Sequence, residues 1–309
     1  MRHDHHHDHH HDHHTSTGFN QAFAVGIALN LAFVGIEAFY GWRVNSLALL
    51  ADAGHNLSDV AGLVLAWVAL LAGKLRGGAR YTYGFKRASI LAAFANAVLL
   101  LLAMGSLGWE ALGRFQTPVA TQGWTIMAVA AVGIGVNGAT ALMFMRGAHG
   151  DMNIRGVFLH MAADALVSLG VVLGGALVLW QGWMWVDPLL SLVIALIIVL
   201  GTWGLLRQSL HLLFDGVPAG VELAAVRTLL LGLPGVADVH DLHVWGMGTS
   251  DIALTAHLVL QDPATESADV LAQAGHKLHH HFDIRHVTLQ LEPAAFALQC
   301  SLRNGAGCA

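Results

Sequence analysis

Six long apolar runs follow one another along the chain, at residues 19–40, 47–73, 89–108, 123–144, 156–180 and 184–206. Each has about 20 residues or more, enough for a helix to cross about 30 Å of hydrocarbon. A helix satisfies its own backbone hydrogen bonds, which lipid cannot do. One such run could be a core helix of a soluble protein; six in succession predict a membrane domain. After Arg207 the pattern shortens. A helical period over 222–233 stops at Pro234-Gly235, strands are expected at 239–247 and 252–260, a helix at 267–282, and a third strand at 285–292 with Val287, Leu289 and Leu291 on one face. That order predicts a small α+β domain, its helices on one face of a three-stranded sheet. The expected organisation is therefore a polar tail (1–17), a transmembrane domain (18–206), a soluble domain (207–293) and a flexible C-terminal tail (294–309).

Composition agrees with this pattern. Hydrophobic residues make up 55% of the 309 positions, and charged residues 11%, against about 25% in a soluble domain. The net charge of −5 and the lack of a basic patch with interleaved aromatics give no sign of nucleic acid binding. Cys300 and Cys308 are the only cysteines, so no disulfide scaffold is available. Free thiols, a metal pair or a disulfide all remain open for those two.

The basic residues orient the spans. Lys74, Arg76, Arg80, Lys86 and Arg87 lie between spans two and three, Arg146 and Arg155 between four and five, and Arg207 after six; the opposite side has Arg43 and Arg114. The positive-inside rule places both chain ends in the cytoplasm. Trp42, Trp109, Trp124, Trp183 and Trp185 fall near the outer ends, as interfacial anchors do.

Of 21 histidines, nine lie in the first 14 residues, interleaved with Asp4, Asp8 and Asp12. Purification tags are usually unbroken histidine runs, whereas here Asp recurs at every fourth position. Imidazoles on a flexible chain bind borderline divalent metals, so His5, His6, His7, His9, His10, His11, His13 and His14 read as a metal-collecting tail.

Ionisable residues inside the spans need a reason, at about 2.5–3.5 kcal/mol each on insertion scales. Span two carries Asp52, His55 and Asp59; span five carries His160 and Asp164. His-x-x-x-Asp occurs in both, and i,i+4 spacing puts both side chains on one helix face. Two such faces opposed offer two nitrogens and two oxygens, the tetrahedral set zinc favours. Two internal His–Asp pairs that merely join helices are the plainer alternative, weakened by the repetition. Gly54, Ser58, Ala61, Gly62, Ala162, Ala163, Ser168 and Gly170 around them suit close helix approach. Asp52, one turn before His55, reads as a supporting carboxylate or a proton site. Glu37, Asn30 and Asn96 read as interhelical hydrogen-bonding groups, and Asp187 at the outer rim as solvated or capping.

The stretch N-S-L-A-L-L-A-D-A-G-H-N-L-S-D (45–59) resembles the span-two signature of the cation diffusion facilitators. The likeness continues at Tyr83-Gly84-Phe85-Lys86-Arg87, His160-Met161-Ala162-Ala163-Asp164, Val239-His240-Asp241-Leu242-His243-Val244-Trp245 and His286-Val287-Thr288-Leu289-Gln290-Leu291-Glu292, covering about 19–293. The chain is most similar to the zinc/cadmium exporters of bacteria and the related eukaryotic zinc transporters. The resemblance implies a homodimer of six-helix units, each with a cytoplasmic ferredoxin-like (αββαβ) domain, in the inner membrane of a bacterium. It implies zinc–proton antiport out of the cytoplasm by alternating access, with His55, Asp59, His160 and Asp164 as the transport site and zinc as substrate and regulatory ligand. Cadmium or cobalt as cargo is the broader form of the same reading. In the cytoplasmic domain the resemblance points to His240, His257 and Glu292 as further metal ligands, with His240 expected on one face with Leu242 and Val244. His276, His279, His280 and His281 crowd the second helix of that domain and read as a solvated face.

Two other classes are weaker. An intramembrane metallohydrolase needs an open coordination position and a general base, commonly the Glu of His-Glu-x-x-His; that motif is absent, and the chain is not read as an enzyme. A membrane metal sensor without flux has no need of ligand pairs inside the spans.

Overall fold

The computed structural model describes residues 16–73, 75, 77–145, 152–262 and 266–298. The histidine-rich start up to residue 14, Lys74, Arg76, Arg146 and both cysteines lie outside the described residues.

Six long helices come first: α1 (Ser16–Arg43), α2 (Leu47–Gly73), α3 (Ala88–Gln116), α4 (Gly123–Met145), α5 (Met152–Gln181) and α6 (Val186–Leu213). Five stretches among the described residues, in α2 to α6, are long and apolar enough to cross a membrane. Leu102, Leu166 and Leu200 are about two-thirds exposed in the middle of their helices. In water such surfaces would drive association, whereas they suit contact with lipid.

By contacts the chain divides into two units, Met1–Ala61 with Leu100–Gly201, and Gly62–Leu99 with Thr202–Ala309. In the first, Phe33, Leu49, Met104, Ile126, Val171 and Ile198 belong to one apolar core. Helices α4 and α5 run together there, and a Cβ added to Gly123 would stand 2.6 Å from the Gly175 carbonyl oxygen. Glycine is thus required where the two backbones meet. At the start of α2, Ser46 Oγ accepts from Leu49 N–H at 3.3 Å, an N-cap. Leu47 N–H donates to Asp187 Oδ2 at 2.9 Å, Ser46 Oγ–H donates to the other Asp187 oxygen, and Arg114 stands 3.9 Å away. Asp187 is 2% exposed. It caps α2 from α6, as one of its two expected roles; the solvated alternative is corrected, because the open helix end and Arg114 compensate the buried charge.

The second unit holds α7 (Leu223–Leu231), β1 (Val236–Gly246), β2 (Ile252–Leu260), α8 (Ser267–Phe282), β3 (Ile284–Pro293) and the short α9 (Ala294–Ala297). The sheet order is β1-β2-β3, with β1 and β2 antiparallel and β2 and β3 parallel. Val226 and Leu230 of α7 and Val270, Ala274 and Leu278 of α8 pack with Val239, Val244, Leu254, Ala256 and Leu258. The parallel pair needs a crossover, which α8 supplies. In this unit the segment leading into α3 meets the end of α6, the β1–β2 turn and β3: Lys86 Nζ lies 3.2 Å from Asp251 Oδ1, Arg87 pairs with Asp215, Thr249 N–H donates to Ser89 Oγ at 3.1 Å, and Tyr83 stands edge-on to His286 at 5.1 Å.

Candidate metal centres

The two His-x-x-x-Asp pairs meet. His160 Nε2 lies 3.0 Å from Asp59 Oδ2 and 3.7 Å from Asp164 Oδ2; His55 Nε2 lies 3.7 Å from Asp59 Oδ2 and 3.7 Å from Asp164 Oδ1. Each imidazole nitrogen therefore faces both carboxylates. In a tetrahedron with metal–ligand bonds of about 2.0–2.2 Å, neighbouring ligand atoms are about 3.3–3.6 Å apart. The four separations bracket that edge. His55, Asp59 and His160 offer atoms all within 4.8 Å of one another. The imidazoles stand edge-to-face, 5.8 Å between ring centres. Helical spacing does the local work: position i+4 places each Asp one turn above its His, and the two helices supply one pair each.

The cluster is graded in access. Asp164 is 4% exposed, His55 23% and His160 43% by side chain. A buried carboxylate therefore anchors a set whose opposite side is open. Behind it, Asp52 is 1% exposed and accepts from Ser168 Oγ–H at 3.3 Å. Glu37 is fully buried and adjoins Asp52 and Asn56. Asn30 donates from α1 to Met161 Sδ of α5 at 3.6 Å, the interhelical role expected of it. Ser168 is a supporting residue that sequence reading took only as a small packing group.

A second cluster lies on the strands. His240 and His257 are directly paired across β1 and β2, and His257 is paired with Gln290, two positions before Glu292 on β3. His257 Nδ1 lies 2.9 Å from Glu292 Oε1, His240 Nε2 lies 3.3 Å from Glu292 Oε2, and Gln290 Nε2 donates to Glu292 Oε1 at 2.7 Å. His240 is 8% exposed and Glu292 1%. These residues face away from α7 and α8. His240 does not share a face with Leu242 and Val244, as simple alternation expects: the register shifts between His240 and His243, and Asp241 takes φ 50°. The bulge inserts a residue and reverses the alternation beyond it. It also swings Asp241 round to the site, with Oδ2 3.7 Å from His257 Nε2 and Oδ1 3.0 Å from His243 Nε2. Asp241 is a site neighbour that alternation alone would have sent to the other face.

Comparison with known proteins bears on both clusters. A family model of the cation efflux transmembrane domain matches residues 23–214, and one of the cation efflux cytoplasmic domain matches 218–294. The chain belongs to the cation efflux family. It is 36% identical over 266 residues to the cadmium, cobalt and zinc/H(+)-K(+) antiporter of Bacillus subtilis (strain 168), covering 84% of this chain and 85% of that one. It is 33% identical over 308 residues to the zinc transporter ZitB of Escherichia coli (strain K12), covering 99% and 97%. Among solved structures it is similar to the metal-bound C-terminal domain of the CzcD transporter from Cupriavidus metallidurans, at 39% identity, with a TM-score of 0.22, covering 23% of this chain and 99% of that one. This cation efflux protein is thus an integral membrane transporter of the cation diffusion facilitator type and not an enzyme. Its two histidine–carboxylate clusters fall one in each matched domain.

Proposed function

We propose that this protein exports zinc from the cytoplasm in exchange for protons, binding one ion at a time between α2 and α5 through His55, Asp59, His160 and Asp164. The single observation that supports this most is the closed ring of four nitrogen–oxygen separations, 3.0 to 3.7 Å, between the two helices. The relatives named as zinc transporter and as cadmium, cobalt and zinc antiporter agree with such cargo. Cadmium and cobalt fit the same nitrogen–oxygen set, so a broader exporter is the near variant.

Transport follows from ligand chemistry. Metal binds neutral imidazole and ionised carboxylate, so protons and zinc compete for the same four groups. In an inward-open state at low proton activity, the set takes zinc from the cytoplasm. Rearrangement of α2 against α5 turns the open side outward, protons replace the ion, and the protonated set returns. Histidine is the natural carrier, its titration lying nearest neutral pH. Asp52, with Ser168, fixes the wall behind the ligands and is a second place for a proton.

The remaining organisation belongs to the same proposal. Residues 18–206 form six spans in the bacterial inner membrane with both chain ends cytoplasmic, 1–17 is a zinc-collecting tail, and 207–293 pairs two copies into a homodimer. The contacts of Lys86 and Arg87 with Asp251 and Asp215 support this topology, since they put the most basic interhelical segment beside the soluble domain. His240, His257 and Glu292 hold a regulatory zinc. The test is zinc flux in proteoliposomes under an imposed pH gradient. Flux driven by the gradient, lost in Asp59→Ala and in His160→Ala, supports the proposal. Normal flux in both variants overturns the site, and zinc binding with no flux in the unaltered protein favours a sensor instead.

A further inference from the structure

The outer side of α8 carries a third arrangement of imidazoles. Val270, Ala274 and Leu278 point into the core. His276, His279, His280 and the capping Asp283 stand at i, i+3, i+4 and i+7, which is one stripe on the opposite side. All four are exposed. The rings of His276 and His280 lie nearly parallel, 16° apart in plane and 6.1 Å between centres. His279 Nε2 lies 3.6 Å from Asp283 Oδ1. Asp283 is held by its own backbone, in the left-handed cap at φ 53°, and accepts from Arg285 Nε at 3.0 Å.

A merely solvated helix face has no need of this. Lys, Glu, Gln and Arg are better helix formers than His and better hydrated. Two imidazoles one turn apart repel one another when both are protonated, whereas a shared divalent ion turns them into a two-nitrogen clamp. We propose that the α8 stripe is a second zinc-class site of the soluble domain, in which His276 and His280 clamp a borderline divalent cation, His279 supplies a third imidazole, and Asp283 orients His279. Exposed imidazoles rotate readily, and a small turn of the two rings brings both nitrogens to bonds of about 2.0–2.1 Å with one ion. The carboxylate behind His279 is the kind of partner that sets a ligating imidazole's tautomer and direction. The site is separate from His240, His257 and Glu292, which lie on the sheet face turned away from α8. Being open to solvent, it exchanges its ion rapidly, as capture from solution requires. The proposal does not depend on the transport reading.

Residue-resolved histidine modification tests it on the full-length protein in detergent. Diethyl pyrocarbonate labelling is mapped by mass spectrometry with and without zinc chloride. With zinc at about ten times its dissociation constant, labelling of His276 and His280 slows together by roughly tenfold. In His280→Ala, zinc no longer protects His276; in Asp283→Asn, protection of His279 weakens while that of His276 persists. The same protection in a His55→Ala background separates this site from the intramembrane one. Equal labelling of His276 and His280 with and without zinc in the unaltered protein overturns the proposal, and so does protection of His276 that survives His280→Ala.

Discussion

The helical and strand clusters use similar groups, two imidazoles with carboxylate oxygens 2.9 to 3.7 Å from their nitrogens, yet they are built with different mechanical freedom. In the first, each helix contributes a His and the Asp one turn on, and among the described residues the links between the two helices here are made by side chains. One can shift against the other by about 1–2 Å without breaking a backbone hydrogen bond. In the second, His240, His257 and Glu292 sit on strands whose ladder fixes their separations. Moving one ligand there means slipping the register. Exposure follows the same division: His160 is 43% exposed by side chain, whereas His240 and Glu292 are nearly closed off. Similar ligand chemistry thus suits a passing ion where the frame can move and a held ion where it cannot.

The sharpest way to break that comparison is to remove Asp164, the buried anchor of the helical cluster. Even an outer partner of a ligand is worth about 10–100-fold in metal affinity, so Asp164→Ala should lower proteoliposome zinc flux by about a hundredfold or more. Next comes acidification. Zinc affinity at the helical cluster should fall on acidification and recover when the pH is raised again, because protons and metal compete for the same imidazoles and carboxylates; titration calorimetry on a background without the first 14 residues and with His240→Ala, His257→Ala, His276→Ala and His280→Ala reads the sign. A smaller effect is expected from His257→Ala alone: one fewer tightly held zinc per chain by elemental analysis, with flux retained within about tenfold, as for a regulatory ligand. Asp241→Asn should weaken zinc at the strand cluster by about tenfold without removing it. The smallest is Asp187→Ala, which takes away the cap of α2 and should cost about 1–2 kcal/mol in unfolding free energy, measured by denaturation in detergent.

Much of this was legible along the chain. The apolar period placed α2 at Leu47–Gly73, and alternation and turn residues placed β2 at Ile252–Leu260 and α8 at Ser267–Phe282. The repeated His-x-x-x-Asp marked all four members of the helical cluster, because i,i+4 neighbours share a helix face in any α-helix. What escaped was non-local. Asp187 looked partly like a rim residue because its partners, Leu47 N–H and Arg114, are remote in sequence. His240 and Asp241 changed faces because one bulge reset the alternation between them.

The sequence by itself determined which residues are costly in a membrane, which pairs share a helix face, and where apolar periodicity gives way to a small mixed domain, since all of these follow from spacing and composition within one element. Only the tertiary structure decided that the pair on α2 faces the pair on α5, that a carboxylate of β3 closes on imidazoles of β1 and β2, and that the α8 histidines stand clear of the core. Those depend on contacts between residues distant in the chain, and such contacts are set by how whole faces pack.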